Sequence, residues 1–253
     1  MVYSSLTDIP RNLKEGIDWL IALRGTDAEK NLKALGEALY KFLADKPVGK
    51  RELPALENVK LISKKFLEKP ELKDMWPASE LLGRFNKPMN KNFVGLAKCF
   101  NNADESDYKN VVKARRLTPK TIAEKLGKIV AGCEKLLESV KNPEQYYSSY
   151  TSEATWEASC AENPEACAVV LVGIAPMLYT GLRSLREESK VGTGVLPLSG
   201  KGKPMGKVLK AVGYKESEYR AGMTGLSIRN ALKGLTLEVL DTIYDLCGFW
   251  AFY

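Results

Sequence analysis

The longest apolar stretch of the chain runs from Cys167 to Leu182 and contains no charged residue. It is preceded by Asn163, Pro164 and Glu165, which suit the N-cap, the first position and the first turn of a helix. The pattern therefore predicts a helix over about 164–186. A helix that is apolar on every face either spans a membrane or forms the centre of a large bundle. Because the run is shorter than the ~20 residues that a span needs and is flanked by charges, we expect the bundle.

Apolar residues recur with a helical period in several other segments, which predicts further amphipathic helices. The clearest begins at Thr118-Pro119, and others begin near Asp8, Asp27 and Pro54 and after residue 206. No segment alternates between apolar and polar residues for more than a few positions, so strands are not expected. The predicted fold is an all-α, irregular multi-helix bundle around the central apolar helix. We expect one helical domain over 1–253, with a possible subdivision into 1–117 and 118–253.

Three segments, 101–117, 143–163 and 190–206, are rich in polar residues or glycine and are expected to be exposed loops on this frame, with a short solvated helix as the alternative for 101–117. The second, termed the aromatic segment below, concentrates three tyrosines and Trp156. Aromatic side chains with polar groups suit a binding surface, but they also suit a loop held against the bundle. Of these two interpretations we favour the second.

Histidine is absent from the 253 residues. Its absence removes the commonest general base, the usual metal ligand and every Ser-His or Cys-His nucleophile arrangement. Five cysteines occur without a CxxC pair, so we expect no metal site. The glycine-rich loop at 190–206 does not fit the phosphate-binding pattern of Gly, four residues and then Gly-Lys-Ser/Thr. Five residues separate Gly194 from Gly200, and a glycine follows Lys201. We therefore predict a non-enzymatic protein with no catalytic residues, cofactor or metal.

Two of the cysteines, Cys160 and Cys167, bracket the segment AENPEA. Its proline could turn the chain enough to close a short disulfide loop. Two separate buried thiols are an equal alternative for this pair. Because the total number of cysteines is odd, at least one thiol is free or is paired outside the chain.

The net charge is +7, and much of it comes from one region. Between residues 183 and 215 there are eight basic residues and two acidic ones, which predicts a docking surface for an anionic partner. The candidate docking residues are Lys190, Lys201, Lys203, Lys207 and Lys210. Only Tyr214 and Tyr219 lie nearby to stack on bases, so nucleic acid is not an expected partner.

Three stretches resemble the variant erythrocyte surface antigens of babesial parasites. The most specific is residues 5–27, SLTDIPRNLKEGIDWLIALRGTD, where Leu-Thr-Asp leads into Asn-Leu-Lys-Glu-x-Ile-Asp-Trp. Its motif residues are Leu6, Thr7, Asp8, Pro10, Asn12, Leu13, Lys14, Glu15, Ile17, Asp18 and Trp19. A second stretch runs from Tyr150 into the apolar helix with Pro176, Leu178 and Tyr179. The third, weaker stretch is the glycine-rich loop followed by GYKESEYRAGMTG.

The resemblance implies a surface antigen or adhesion domain that is exported to the infected-erythrocyte surface and takes part in antigenic variation and cytoadhesion. The implied partners are a host cell-surface receptor and other chains of the same family. The first ten residues lack the basic start and apolar core of a signal peptide, and no membrane span is expected, so we interpret the chain as a short relative or an excised ectodomain. The alternative is an intracellular helical scaffold that binds a partner helix or an acidic surface.

Overall fold

A computed structural model describes residues 2–92, 103–190 and 205–253. Within these ranges the regular elements are helices, and β-type pairing is limited to two isolated bridges, Tyr3 with Tyr150 and Lys141 with Tyr219. The prediction of an all-α multi-helix bundle is confirmed.

Most of the longer helices begin where the sequence predicts, but the first begins at Leu13, after the N-cap Asn12, and not near Asp8. The described ranges contain these α-helices. They are α1 (Leu13–Arg24), α2 (Ala28–Ala44), α3 (Pro54–Leu67), α4 (Ala78–Asn86), α5 (Glu105–Tyr108), α6 (Val111–Ala114), α7 (Pro119–Val140), α8 (Trp156–Ser159), α9 (Pro164–Glu188), α10 (Gly206–Ala211), α11 (Gly225–Ala231), α12 (Leu237–Leu246) and α13 (Phe249–Phe252). Two short 3₁₀ turns, Glu216–Glu218 and Leu232–Gly234, complete the described set.

Helix α9 forms the centre of the bundle, as its sequence predicts, and 17 of its 25 residues are buried. Helices α1, α2, α3 and α12 pack around it. Among the described residues it is the one helix long and apolar enough to cross a membrane, but 83% of its most apolar window lies inside the protein. The apolar run is therefore the core helix of this fold.

Two glycines let α9 approach its neighbours closely. A Cβ atom added at Gly173 would lie 2.4 Å from Val59 Cγ1 in α3, and one added at Gly181 would lie 2.9 Å from Leu13 Cβ in α1. At the first of these crossings the Ser63 hydroxyl donates a hydrogen bond of 2.6 Å to the Gly173 carbonyl oxygen. The missing side chains thus set how near α3 and α1 come to the central helix.

Helices on both sides of the suggested boundary at residue 117 pack on each other, most extensively α2 on α7. The C-terminal helix α13 returns to the N-terminal half, where the rings of Phe252 and Phe42 have centroids 5.6 Å apart. Lys60 Nζ donates to the Phe252 carbonyl oxygen at 2.6 Å. The buried apolar residues of the described ranges therefore belong to one continuous cluster.

In the described part of the segment 101–117, residues 103–117, the alternative of a short helix is correct and that of a loop is wrong, and the segment is exposed only in part. Helices α5 and α6 occupy this part, and Asp107 is completely buried. The Asp107 carboxylate accepts hydrogen bonds from Arg84 Nη2 at 2.9 Å and from the Tyr244 hydroxyl at 2.8 Å. A polar residue can be buried when distant partners satisfy its charge, and a local sequence pattern does not reveal those partners.

Candidate anion-binding site

A cavity of about 310 Å³ lies at the C-terminal end of α9. Its walls come from the last turn of α9, from α11 with the 3₁₀ turn that follows it, and from the start of α12. The lining residues are Arg186, Ser189, Lys190, Arg229, Leu232, Lys233, Thr236 and Leu237. Four of these eight residues are cationic and none is acidic, so the cavity is termed the basic cavity below.

Backbone carbonyl groups hold both arginines of the basic cavity in place. Arg186 Nη1 donates to the Leu235 carbonyl oxygen at 3.0 Å, and Arg229 Nη2 donates to the Ser189 carbonyl oxygen at 2.8 Å. A carbonyl group is a neutral acceptor, so it orients a guanidinium without cancelling its charge. Each guanidinium has five N–H donors, and most of them have no acceptor among the described residues.

The two lysines of the basic cavity differ in their surroundings. Lys190 Nζ forms an ion pair with Glu187 at 2.9 Å. Lys233 is exposed and, in the part of the chain that the structure describes, it has no carboxylate partner. Neither Arg186 nor Arg229 forms an ion pair within the described ranges. Three of the four cations are thus left without a compensating acid.

The five predicted docking lysines do not form one site. Lys190 lines the basic cavity, whereas Lys207 and Lys210 are exposed on α10, where Lys210 pairs with a nearby glutamate. The other two candidates, Lys201 and Lys203, lie outside the described residues, and their role stays a prediction.

Sequence reasoning placed the basic region between residues 183 and 215 and missed Arg229 and Lys233. Their spacing of four residues, which puts two side chains on the same side of a helix, was the available signal. The docking of α11 onto the end of α9 could not be foreseen, because it depends on a close approach at Gly225. A Cβ atom there would lie 2.9 Å from the Ser189 carbonyl oxygen.

The cysteine pair Cys160 and Cys167 lies at disulfide distance, with Cα atoms 6.0 Å apart and both side chains fully buried. The disulfide alternative is therefore favoured over two separate thiols, and the bridge ties the end of α8 to the start of α9. Among the other described cysteines, Cys133 and Cys247 are free and buried. Burial raises the pKa of the Cys133 thiol to about 12, so this thiol is unreactive. Cys99 lies outside the described residues.

The aromatic segment is held against α1, as the favoured interpretation predicts, and it is exposed only in part. Asp18 accepts hydrogen bonds from the Tyr146 hydroxyl and, at 2.8 Å, from the Ser149 backbone N–H. Lys14 Nζ lies 3.1 Å from Asp18 Oδ2 and donates to the Tyr147 carbonyl oxygen at 2.6 Å. The Tyr147 ring itself remains 73% exposed. Lys14 and Asp18 therefore fix this segment in place.

A second cavity, of about 530 Å³, lies between the aromatic segment and the turn that joins α1 to α2. Its walls include the acidic residues Asp18, Asp27 and Glu157. Asp18 is occupied by the bonds described above, Asp27 caps α2 by accepting from the Lys30 backbone N–H at 3.4 Å, and Glu157 pairs with the Lys30 side chain. Since all three carboxylates already have partners, this cavity is a weaker candidate for ligand binding than the basic cavity.

The remaining residues of the N-terminal motif also build the scaffold. Leu6, Leu13, Ile17 and Trp19 are fully buried. Trp19 Nε1 donates to the Leu6 carbonyl oxygen at 2.7 Å, which folds the N-terminal segment back onto α1. Asn12 is the N-cap of α1. The motif thus specifies how this part of the core is packed.

Comparison with protein families, with curated proteins and with solved structures finds no match to this chain.

Proposed function

We propose that this chain is a non-enzymatic adhesion or surface-antigen domain of the babesial type, and that it presents a basic surface to an anionic group on a host cell. The observation that carries the proposal is that two separate groups of cations lie against α9. One is the basic cavity at the C-terminal end of this helix, and the other is α10, which packs against the same helix and carries the exposed Lys207 and Lys210.

The organisation of the helices is consistent with this role. A surface domain needs a frame that keeps its shape while exposed positions vary. Here most of the motif residues and most of α9 are buried in the core, whereas Tyr147, Lys207 and Lys233 are exposed. Substitution at these exposed positions would leave the core contacts intact.

Cell binding by the purified chain, with charge reversal on α10, tests the proposal. Binding to endothelial cells and to uninfected erythrocytes would be compared for the unchanged chain and for the double variant Lys207→Glu, Lys210→Glu. We expect binding to fall several-fold, because opposite charge at the docking surface lowers the rate of association and repels an anionic partner.

A matched control separates a local effect from an effect of net charge. Lys33→Glu, Lys65→Glu makes the same change in total charge at two exposed positions on α2 and α3. This control should bind cells as well as the unchanged chain does. Equal loss in both double variants, or no loss in the α10 variant, would refute the proposed docking surface.

The alternative, an intracellular scaffold, differs in the expected state of Cys160 and Cys167. A domain exposed outside the cell meets oxidising conditions, whereas cytosolic thiols are kept reduced. Non-reducing mass spectrometry of the chain secreted from a eukaryotic host distinguishes the two. A mass that is about 2 Da below the fully reduced value, as loss of two thiol hydrogens requires, supports the surface domain, and a fully reduced chain favours the scaffold.

A further inference from the structure

We infer that the basic cavity is a binding site for a tetrahedral oxyanion ester on a sugar-sized body, with a phosphate monoester favoured by charge. This inference deepens the proposed function, on which it rests, by naming the chemical group that would dock. It uses Arg186, Lys190, Arg229, Lys233 and Thr236, all of which line the cavity.

The charge at the cavity remains positive when every neighbouring acid in the sequence is counted against it. Four cations line the cavity. Glu187 is shared between Lys190 and Arg183, the latter at 3.5 Å. If Glu187 and Glu188 are both counted in full, two positive charges remain. Glu238, which follows Leu237, pairs with Lys128 at 3.6 Å, and this pair adds no net charge. Residues 191–204, which follow directly in the sequence, contain no acid that could reduce this excess.

Cations often stand at helix C-termini only because they complement the helix dipole. The ends of α9 and α11 both meet the cavity, and each supplies about −0.5 of an elementary charge. Together these two C-terminal ends offset about one of the two remaining positive charges. The N-terminal end of α12 contributes about +0.5 of an elementary charge in the opposite sense. An excess of more than one positive charge is therefore left, which the dipole explanation does not account for.

The donors of the cavity are positioned before any ligand binds. The guanidinium groups of Arg186 and Arg229 are held by carbonyl oxygens of the protein, as described above. The Thr236 hydroxyl oxygen accepts from the Val239 N–H at 3.4 Å, and its own proton is donated to no acceptor among the described residues. Fixed donors lower the entropic cost of binding, and guanidinium forks match the oxygen spacing of an oxyanion.

The shape and charge of the cavity favour an ester over a free ion or a carboxylate. Its volume of about 310 Å³ is larger than a lone oxyanion requires. Leu232 and the half-exposed Leu237 form an apolar part of the wall, against which an organic body could lie. A phosphate monoester carries about −1.5 to −2 charges at neutral pH, which matches the excess better than the single charge of a carboxylate.

Isothermal titration calorimetry with three related sugars tests the inference. The probes are glucose 6-phosphate, glucose 6-sulfate and glucuronate, which share a ring and differ in the anionic group. We expect saturable binding of the phosphate, or of both esters, and at least about tenfold weaker binding of glucuronate. The order of the two affinities shows whether the cavity prefers a phosphate ester or a sulfate ester.

Substitution in the cavity should remove this binding without unfolding the chain. Arg229→Gln, Lys233→Gln should weaken ester binding at least about tenfold, because it removes two charge-assisted interactions. Lys33→Gln, Lys65→Gln makes the same change in net charge elsewhere and should bind within twofold of the unchanged chain. Equal urea midpoints for the two double variants exclude a folding defect.

Three results would overturn the inference: no saturable ester binding below ~10 mM, glucuronate binding as tightly as either ester, or equal weakening in the cavity and control variants. Failure of the proposed function has a different signature. Ester binding without adhesion to cells would support the binding site in the cavity and refute the adhesive role. If adhesion requires Lys207 and Lys210 but the chain binds no ester, the adhesive role is supported and the binding site in the cavity is refuted.

Discussion

The crossing of α3 over α9 offers a direct test of how the core is built. Gly173→Ala adds one methyl group, whose Cβ would lie 2.4 Å from Val59 Cγ1 and 2.5 Å from Val59 Cβ. Rotation of the valine side chain cannot relieve the second contact, because Cβ is bonded directly to the backbone. Helix α3 must therefore move away, which disturbs the 2.6 Å hydrogen bond from Ser63 to the Gly173 carbonyl oxygen.

Two opposing effects determine the size of the change in stability. Adding volume to a well-packed core costs about 1–3 kcal/mol, and the rigid neighbour places this case near the upper end. Alanine in place of glycine inside a helix returns about 1 kcal/mol. The free energy of unfolding should therefore fall by about 1–2 kcal/mol. With a urea m-value of ~3 kcal/mol/M, the unfolding midpoint would drop by about 0.5 M.

Urea unfolding followed by circular dichroism at 222 nm measures this change, and two further variants control for it. Gly127→Ala, on α7, meets only Leu32 Cδ1 at 3.8 Å and should stabilise the chain through helix propensity. Combining Gly173→Ala with Val59→Ala should cost less than the sum of the two single changes, since it removes the contact with Cγ1 at 2.4 Å, although the contact with Cβ remains. An unchanged or higher midpoint for Gly173→Ala would show that α3 and α9 do not meet this closely.

Two further predictions concern the disulfide and the buried ion pair. Replacing Cys160 and Cys167 by serine should lower the free energy of unfolding by about 2.5 kcal/mol, because the disulfide no longer restricts the unfolded chain. The serine variant should also lose any dependence of its urea midpoint on reductant. If the urea midpoint of the unchanged chain does not respond to reductant, the prediction is wrong. Asp18→Asn should cost about 3 kcal/mol, because Lys14 would keep only Glu218, at 3.7 Å, as its acid partner. A loss below about 1 kcal/mol in urea unfolding would mean that the Lys14–Asp18 pair is not essential to the core.

The candidate site was only partly predictable from the sequence. Lys190 was identified because it stands in a run of cations with few acids. Arg229 and Lys233 were missed because they belong to a later helix, and charge counted along the chain does not show which helices meet. Asp107 illustrates the same limit for the core, since its partners Arg84 and Tyr244 are distant in sequence.

The sequence by itself determined the all-α class, the start of several long helices and the burial of α9, because helical periodicity, capping residues and an uncharged run act over a few neighbouring residues. Only the tertiary structure decided which cations line a common cavity, how the aromatic segment is held by Asp18, and that Cys160 and Cys167 come within bonding distance. These features depend on helix crossings, which are set by close contacts at single positions such as Gly173 and Gly225. A contact between residues far apart in the chain leaves no local pattern from which it could be predicted.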